Sequence, residues 1–280
     1  MLKRVITSIV ATAVFIPFLV FSNTWFFPAA IALCSFIGCY EMLTCIGKNK
    51  NVFFAIPISL LAAFFPLAVR YCYVNGIAFN ELLKLSLAVA LIAALYVFAI
   101  AVFNNKKTTV TDASLIYMSC LYITAAFSAI IYLHDYIQLG NMIYLLTFIC
   151  AWTTDIFAYF TGRFLGRHKL IESVSPKKTI EGAIGGIVFC VIAMIVFGIV
   201  VENISGEFKA NYLVLAISGI FISIVSQIGD LVMSVIKRNY GIKDYGKIFP
   251  GHGGILDRFD SVLAVSIMLA FICSYFNLFI

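Results

Sequence analysis

Charged side chains are scarce in this chain. Asp, Glu, Lys and Arg make up only 11% of its 280 residues, whereas 63% of the residues are hydrophobic. Water-soluble domains usually carry about a quarter charged residues, so the composition excludes a soluble globular fold of this length. It predicts one membrane-embedded domain over residues 1–280, in which the halves 1–140 and 141–280 differ in character.

Clusters of histidine and cysteine with metal-ligand spacing are also lacking. The chain has three histidines and eight cysteines, and no CxxC pair occurs. This excludes the usual zinc sites. Most of the cysteines lie in hydrophobic segments, where a free thiol behaves as a small apolar side chain.

Long apolar runs are abundant. A helix needs about 20 apolar residues to cross a hydrocarbon core of roughly 30 Å. The sequence therefore predicts an all-α, polytopic transmembrane helical bundle with about nine spans, at 5–22, 25–46, 52–70, 82–103, 113–133, 141–161, 182–201, 211–236 and 257–279. No small-residue cleavage site follows the first segment, so we expect a retained span rather than a removed signal peptide.

The basic residues alternate between the two sides of these spans. Most of the 19 Lys and Arg residues fall on the side that holds the first few residues and the long loops 162–181 and 237–256. Cytoplasmic loops carry the excess of basic residues. We therefore expect a multi-pass cell-membrane protein with a cytoplasmic N-terminus, an outer C-terminus and a site on the cytoplasmic side.

A polar stripe runs along the span 211–236. Ser223, Gln227, Asp230 and Ser234 follow one another at steps of three or four residues, which places them on one helix face. A charge facing lipid near the bilayer centre costs about 3 kcal/mol, so the stripe must face protein or a water-filled cavity. A polar contact between helices would explain Ser223 and Gln227 equally well, whereas Asp230 needs a cation partner.

Two further acids open the last span. Asp257 and Asp260 are three residues apart, hence on one face of the first helical turn, where the helix dipole favours negative charge. Capping explains one acid but not two beside a Gly-rich segment. Carboxylates with oxygen-only neighbours suit a hard cation. Asp230, Asp257 and Asp260 are the candidate ligands of Mg²⁺, with a second cation left open.

The two long loops combine basic residues with glycine or helix-start residues. One contains Lys237, Arg238, Lys243, Asp244, His252, Gly253 and Gly254, and the other contains Ser175, Lys177, Lys178 and Thr179 before a helix start. Lysine and arginine beside a flexible backbone suit phosphate groups. Ser175, Pro176 and Thr179 could cap that helix. Two lysines at the same point oppose the helix dipole unless an anion binds there.

Two acids inside other spans have open roles. Glu41, near the inner end of the second span, is explained as well by a side chain reaching to the interface as by a function. Asp155 has Tyr159 one turn away on the same helix face. A buried ion pair with a basic residue is the alternative to a functional role for Asp155.

These residues form a longer pattern: Ser234-x-Ile-Lys237-Arg238-x4-Lys243-Asp244-x-Gly246-x2-Phe249-Pro250-x-His252-Gly253-Gly254-Ile255-x-Asp257-Arg258-Phe259-Asp260. It resembles the signature of the CDP-diacylglycerol synthases, or phosphatidate cytidylyltransferases, without departure. Two further stretches, one from Asp155 to Arg163 and one from Ser175 to Gly182, are similar to other parts of that family. The resemblance covers roughly 150 to 260.

The resemblance implies the reaction of CTP with phosphatidate to give CDP-diacylglycerol and pyrophosphate, with Mg²⁺. Asp230, Asp257, Lys237 and Arg258 are then the expected catalytic residues. Lys237, Arg238, Lys243 and Arg258 would neutralise phosphates, and Ser175, Lys177 and Lys178 would hold a phosphate at the helix start. His252 would donate a hydrogen bond near the nucleotide, where Gly253 and Gly254 allow close backbone approach. Ser234 and Asp244 complete the expected substrate-binding set.

Two rival functions remain at this level. A secondary transporter of an anionic solute would also carry charges inside its spans, although no inverted repeat is found. A related transferase could use CTP with another lipid phosphate. We expect a bilayer setting and no nucleic-acid partner, and a homodimer is left open.

Overall fold

The computed structural model describes residue 17 and the ranges 20–50, 52–104, 108–172, 174–249 and 251–280. We number its elements in chain order. The helices are α1 (Phe26–Cys45), α2 (Val52–Val74), α3 (Phe79–Phe103), α4 (Val110–Asp135), α5 (Gly140–Ile143), α6 (Leu145–Leu165), α7 (Ile180–Ser205), α8 (Tyr212–Asn239) and α9 (Leu256–Tyr275). The strands β1 (Lys169–Ile171) and β2 (Ser175–Thr179) form an antiparallel hairpin between α6 and α7.

The prediction of an all-α multi-pass membrane protein is confirmed. Within the described ranges, seven helical segments are long and apolar enough to cross a membrane, and α5 with α6 counts as one of them. The predicted span 5–22 lies almost wholly outside the described residues. The predicted span 257–279 corresponds to α9, which is not among the seven. Nine spans and the N-terminal orientation therefore stay predictions.

The described residues fall into two compact units. The first takes its residues from Met1–Tyr136 and Ile242–Arg258, and the second from Ile137–Gly241 and Phe259–Ile280. The boundary crosses the first turn of α9, so Asp257 belongs to the first unit and Asp260 to the second. The single membrane-embedded domain stays a prediction.

The first unit is built around α4. Helices α1, α2 and α3 each pack against it, and large side chains such as Phe27, Met42, Ile123 and Phe127 are almost completely buried. A buried ion pair joins α2 to α4, where Arg70 Nε lies 2.8 Å from Asp135 Oδ2. His134 Nδ1 lies 2.7 Å from the other oxygen of the same carboxylate.

The second unit depends on close approach between helices. Helix α7 packs against α6 and α8. A Cβ atom at Gly185 would collide with the side chain of Thr161, and one at Gly186 would lie 3.0 Å from the backbone oxygen of Thr154. Small residues let helix backbones approach closely in membranes, where van der Waals packing drives association. Gly185 is therefore required by the packing of α7 against α6, and a side chain at Gly186 would need its neighbours to shift.

Candidate active site

Asp230 forms an ion pair with Lys178 in the second unit. Asp230 Oδ2 lies 2.6 Å from Lys178 Nζ, and both side chains are about three-quarters buried, with 24% and 25% of their surfaces exposed. The ammonium group makes no hydrogen bond of good geometry among the described residues. The cation partner expected for Asp230 is thus Lys178, for which the sequence pattern predicts a phosphate instead.

The remaining polar stripe of α8 packs against its neighbours. Gln227 Nε2 donates a hydrogen bond to the backbone oxygen of Ala183 at 3.2 Å, and Thr154 Oγ1 donates to Ser223 Oγ at 3.1 Å. Ser234 Oγ lies 3.4 Å from Asp230 Oδ1. The stripe faces protein, as predicted, and for Ser223 and Gln227 the observed contact is the polar one between helices.

Asp155 and Asp260 lie close enough to Asp230 for the like charges of the carboxylates to repel one another. Ser261 links two of them, because its hydroxyl donates to Asp155 Oδ2 at 2.9 Å and its backbone N–H donates to Asp260 Oδ1 at 2.9 Å. Lys237, which is buried, interacts with the charge of Asp260. Asp155 is hydrogen-bonded to a serine rather than closely paired with a basic residue in the described structure.

The start of α7 is capped by Thr179. Its hydroxyl accepts a hydrogen bond from the backbone N–H of Gly182 at 3.1 Å, which satisfies one of the amides left free at a helix start. Ser175 and Pro176 lie in β2 instead, so the expectation that they cap the helix is wrong. The side chain of Lys177 is exposed. The positive charge of Lys178, which is unfavourable near the start of a helix, is balanced by the carboxylate of Asp230.

The first unit contains the Gly-rich segment before α9, and Asp257 organises it. Asp257 Oδ2 accepts hydrogen bonds from the backbone N–H groups of Tyr245 at 2.7 Å and Gly254 at 2.9 Å. Gly253 has a positive φ of 82°, and a Cβ there would lie 2.5 Å from Asp257 Oδ2. A glycine is therefore required at 253 by the backbone and by the Asp257 carboxylate together.

Glu41 is the residue of this group whose role the sequence leaves undecided. It lies on α1, is only 5% exposed, and accepts hydrogen bonds from the backbone N–H groups of Ile255 and Leu256 at 3.0 and 2.9 Å. The interpretation that Glu41 reaches to the interface is wrong. Its signal in the sequence is that it is the one acid well inside the early spans.

The basic residues of this segment remain accessible. Lys243 and Arg258 are exposed, as is Arg238 at the end of α8 in the second unit. Asp244 is exposed as well. His252 presents a buried Nδ1 that has no hydrogen-bond partner among the described residues. The donor role expected for His252 stays a prediction.

The donor chemistry of both groups fits a hard cation. Asp155, Asp230 and Asp260 supply only carboxylate oxygens, and two of the residues near them, Ser234 and Ser261, offer hydroxyl oxygens. Within the described ranges, however, no three acids, histidines or cysteines converge on one point closely enough to hold a metal ion. The residues thus fit Mg²⁺ by type, and Asp230 is neutralised by Lys178.

Comparison with known proteins identifies the family of this chain. The Cytidylyltransferase family matches residues 2–276. A phosphatidate cytidylyltransferase of Bacillus subtilis (strain 168) is 33% identical over 278 residues, which is 99% of each chain. One from Staphylococcus saprophyticus is 35% identical over 263 residues, and one from Staphylococcus haemolyticus is 34% identical over 262 residues, each covering 94% of this chain and 95% of the relative. The match extends through the early spans, beyond the stretch that carries the sequence resemblance. The chain therefore belongs to the cytidylyltransferase family.

Proposed function

We propose that this protein transfers the cytidylyl group of CTP to phosphatidate, giving CDP-diacylglycerol and pyrophosphate for phospholipid synthesis. The observation that carries the proposal is the similarity, over nearly the whole chain, to relatives named phosphatidate cytidylyltransferase. The protein is accordingly a membrane-bound nucleotidyltransferase with one soluble and one lipid-anchored substrate.

The chemistry requires two anions to meet. An oxygen of the phosphatidate phosphate forms a bond to the α-phosphorus of CTP, the bond between that phosphorus and the α–β bridging oxygen breaks, and pyrophosphate leaves with the electron pair. The attacking oxygen is already largely ionised at neutral pH, because the second pKa of a phosphomonoester is about 6. A strong general base is unnecessary, and positioning with charge neutralisation must provide the rate.

Residues of the second unit supply cations for this purpose. Lys178 and Lys237 are partly or fully buried beside carboxylates, whereas Arg238 and Lys177 are exposed. We assign Lys237 and Arg238 to substrate phosphates, and Ser175, Lys177 and Lys178 to a phosphate near the start of α7. A phosphate that binds Lys178 offers it a second anion and frees Asp230 from its present partner. Ser234, beside Asp230, completes this group.

Residues of the first unit supply the other proposed contacts to the substrates. The exposed side chains of Lys243 and Arg258 are suited to triphosphate or lipid phosphate oxygens, and Asp244 lies next to Lys243 in the chain. His252 is assigned as a hydrogen-bond donor near the nucleotide. A side chain at Gly253 would collide with Asp257 and one at Gly254 with Glu41, so contacts within the protein already explain both glycines. Their proposed closeness to the nucleotide therefore rests on the neighbouring His252.

The enzyme is proposed to depend on Mg²⁺, with one or two ions. Asp230 and Asp260 in the second unit and Asp257 in the first are the proposed ligands. A bound Mg²⁺ would neutralise part of the charge of the substrate phosphates. The support is the oxygen-only chemistry of the acids and the need to offset several substrate charges.

The decisive experiment measures pyrophosphate release from CTP by the purified full-length protein in mixed micelles. We expect release only with phosphatidate present, loss of release with EDTA, and recovery with excess Mg²⁺. Formation of CDP-diacylglycerol is measured in the same samples by mass spectrometry. Release that ignores phosphatidate would defeat the proposal, and release that ignores EDTA would defeat its metal component.

Two further arms separate the rival functions. An isoprenoid phosphate in place of phosphatidate tests for a related CTP-dependent transferase, and equal or better turnover with it would redirect the substrate assignment. Uptake of a radiolabelled anionic solute into sealed vesicles without CTP tests for a transporter. We expect neither result.

The membrane arrangement belongs to the same proposal. Nine spans with the N-terminus and the active site in the cytoplasm are supported by the asymmetry of the basic residues. Single cysteines introduced at Asn75 and Lys247, in a variant without native cysteines, should react with an impermeant reagent from opposite sides of the membrane. Labelling of Lys247→Cys from outside intact cells would show that the orientation is opposite to the proposed one.

A homodimer is proposed as well. Helix α3 leaves apolar side chains such as Leu87, Leu91 and Leu95 exposed, and that surface can contact lipid or a second copy. Mass measurement of the detergent-solubilised protein, corrected for bound detergent, should give twice the chain mass of 31.0 kDa. A fully active monomer would contradict the proposed dimer and leave the proposed reaction unaffected.

A further inference from the structure

A carboxylate on α1 holds the beginning of α9 in the first unit. The two oxygens of Glu41 divide two consecutive amides between them, so that Oε1 accepts from Ile255 N–H and Oε2 accepts from Leu256 N–H. The residues joined are 214 and 215 positions apart in the sequence. The contact therefore ties the last helix of the chain to the first one described.

Both partners gain from this contact. The first amides of a helix have no partner within the helix, and the helix dipole makes that end electropositive. A buried carboxylate is costly unless hydrogen bonds satisfy it. Glu41 and the start of α9 compensate each other, as a capping side chain would, but from a different helix.

The neighbouring glycines are shaped by the same carboxylate. The three atoms nearest to a Cβ built at Gly254 all belong to the carboxyl group of Glu41, with Oε2 at 2.6 Å. A Cβ at Gly246 would collide with Glu41 Oε1. Glu41 thus occupies the space that side chains at these two positions would need.

Gly254 connects Glu41 to Asp257. Its Cα faces the Glu41 carboxylate, while its N–H donates to Asp257 Oδ2 at 2.9 Å. The like charges of Glu41 and Asp257 also repel each other. A displacement of Glu41 would therefore move the backbone that sets the position of Asp257.

We propose that Glu41 is a positioning residue for cytidylyl transfer, which holds the backbone of residues 254–256 so that Asp257 and Arg258 face their substrates correctly. Glu41 acts through Gly254 and the start of α9 and contacts no substrate itself. This inference rests on the proposed function, since the reaction defines what Asp257 and Arg258 must do.

The first test compares Glu41→Gln and Glu41→Ala with the wild type. Glutamine keeps the size but turns one acceptor oxygen into an amide group that meets a backbone N–H. We expect kcat to fall about 10- to 100-fold, as a misplacement near 1 Å can do, with KM for phosphatidate within about twofold of wild type because no substrate contact is lost. A rise in KM with kcat unchanged would overturn the inference.

Asp112→Asn is the matched control. Asp112 also holds a helix start in the first unit, because it accepts from Thr109 N–H at 3.0 Å at the beginning of α4. Its loss removes a capping carboxylate without touching the segment that carries Asp257. If Asp112→Asn lowered kcat as much as Glu41→Gln, the effect would be one of general stability and the inference would fail.

A double-mutant cycle tests the route through Gly254. Gly254→Ala alone should lower kcat, because the methyl group displaces the Glu41 carboxylate. In the Glu41→Ala background that space is free, so Gly254→Ala should cause little further loss. Effects of independent sites multiply, and multiplied losses would show that Gly254 acts separately from Glu41.

Hydrogen exchange gives a readout that does not depend on activity. In Glu41→Gln, peptides covering 245–257 should exchange faster than in the wild type, while other peptides of the first unit remain unchanged. Unchanged exchange in 245–257, or faster exchange everywhere, would overturn the inference. If the wild type shows no phosphatidate-dependent use of CTP, the proposed function fails instead, and hydrogen exchange still tests the contact itself.

Discussion

Lys178 and Asp230 neutralise each other across a distance of 2.6 Å, although one lies in a hairpin strand and the other deep in a helix. The sequence pattern predicts a separate partner for each, a phosphate for the lysine and a metal for the aspartate. The ion pair means that neither group carries an isolated charge.

Removing the charge of Asp230 should abolish most of the activity. Asp230→Asn keeps the shape but leaves Lys178 without its anion and takes away a proposed metal ligand, so we expect kcat to fall by about 100-fold or more. Glu202→Gln, which alters a carboxylate bonded to Tyr212 at 2.7 Å in the same unit, is the control and should stay near wild type. Turnover assays with CTP and phosphatidate decide the matter.

Asp257 should be equally sensitive for a different reason. Asp257→Ala removes the acceptor for the N–H groups of Tyr245 and Gly254 as well as the proposed metal ligand. We expect a loss of kcat of about 100-fold or more, together with a higher Mg²⁺ requirement in any residual activity. A purified Asp257→Ala protein with wild-type turnover would refute the metal assignment.

The two lysines before α7 should differ in importance. Lys178 is mostly buried beside Asp230, whereas Lys177 is exposed. A hydrogen bond to a charged group contributes roughly 1.5–3 kcal/mol, and an exposed contact contributes about 0–1 kcal/mol. Lys178→Met should therefore lower kcat/KM at least about tenfold, and Lys177→Met by less. The reverse order would mean that the exposed lysine is the main phosphate ligand.

Arg70 should matter for stability. Arg70→Met removes the cation that pairs with the buried carboxylate of Asp135, and breaking a buried ion pair from one side costs about 3–5 kcal/mol. We expect a clear drop in the midpoint of thermal unfolding in detergent. Arg70→Met combined with Asp135→Leu should recover part of that loss, because no unpaired charge remains. A double variant less stable than the single one would contradict the explanation.

Thr179 should contribute to the start of α7 through its hydroxyl. Thr179→Val removes the acceptor for Gly182 N–H and should destabilise the protein by about 1 kcal/mol, the usual cost of a lost helix cap. Thr179→Ser keeps the oxygen and should be milder. Thermal unfolding of the three proteins in one detergent is the measurement, and a larger loss for Thr179→Ser than for Thr179→Val would point to the methyl group instead.

The sequence by itself determined the membrane-embedded helical fold, because a bilayer demands long apolar helices and hydropathy records them directly. It also predicts the chemical type of the candidate site. Acids and lysines inside an apolar chain are too costly to occur without partners, so an aspartate at position 230 already requires a cation to face it.

Only the tertiary structure decided which residues are the partners of these acids and lysines. Sequence periodicity reports which residues share a helix face, but it carries no information on which distant element that face meets. Asp230 therefore meets Lys178 rather than an unspecified cation, and Asp155 accepts a hydrogen bond from Ser261. Glu41, buried against amides 214 positions away, shows the same limit, because a backbone N–H partner leaves no trace in the residue type that supplies it.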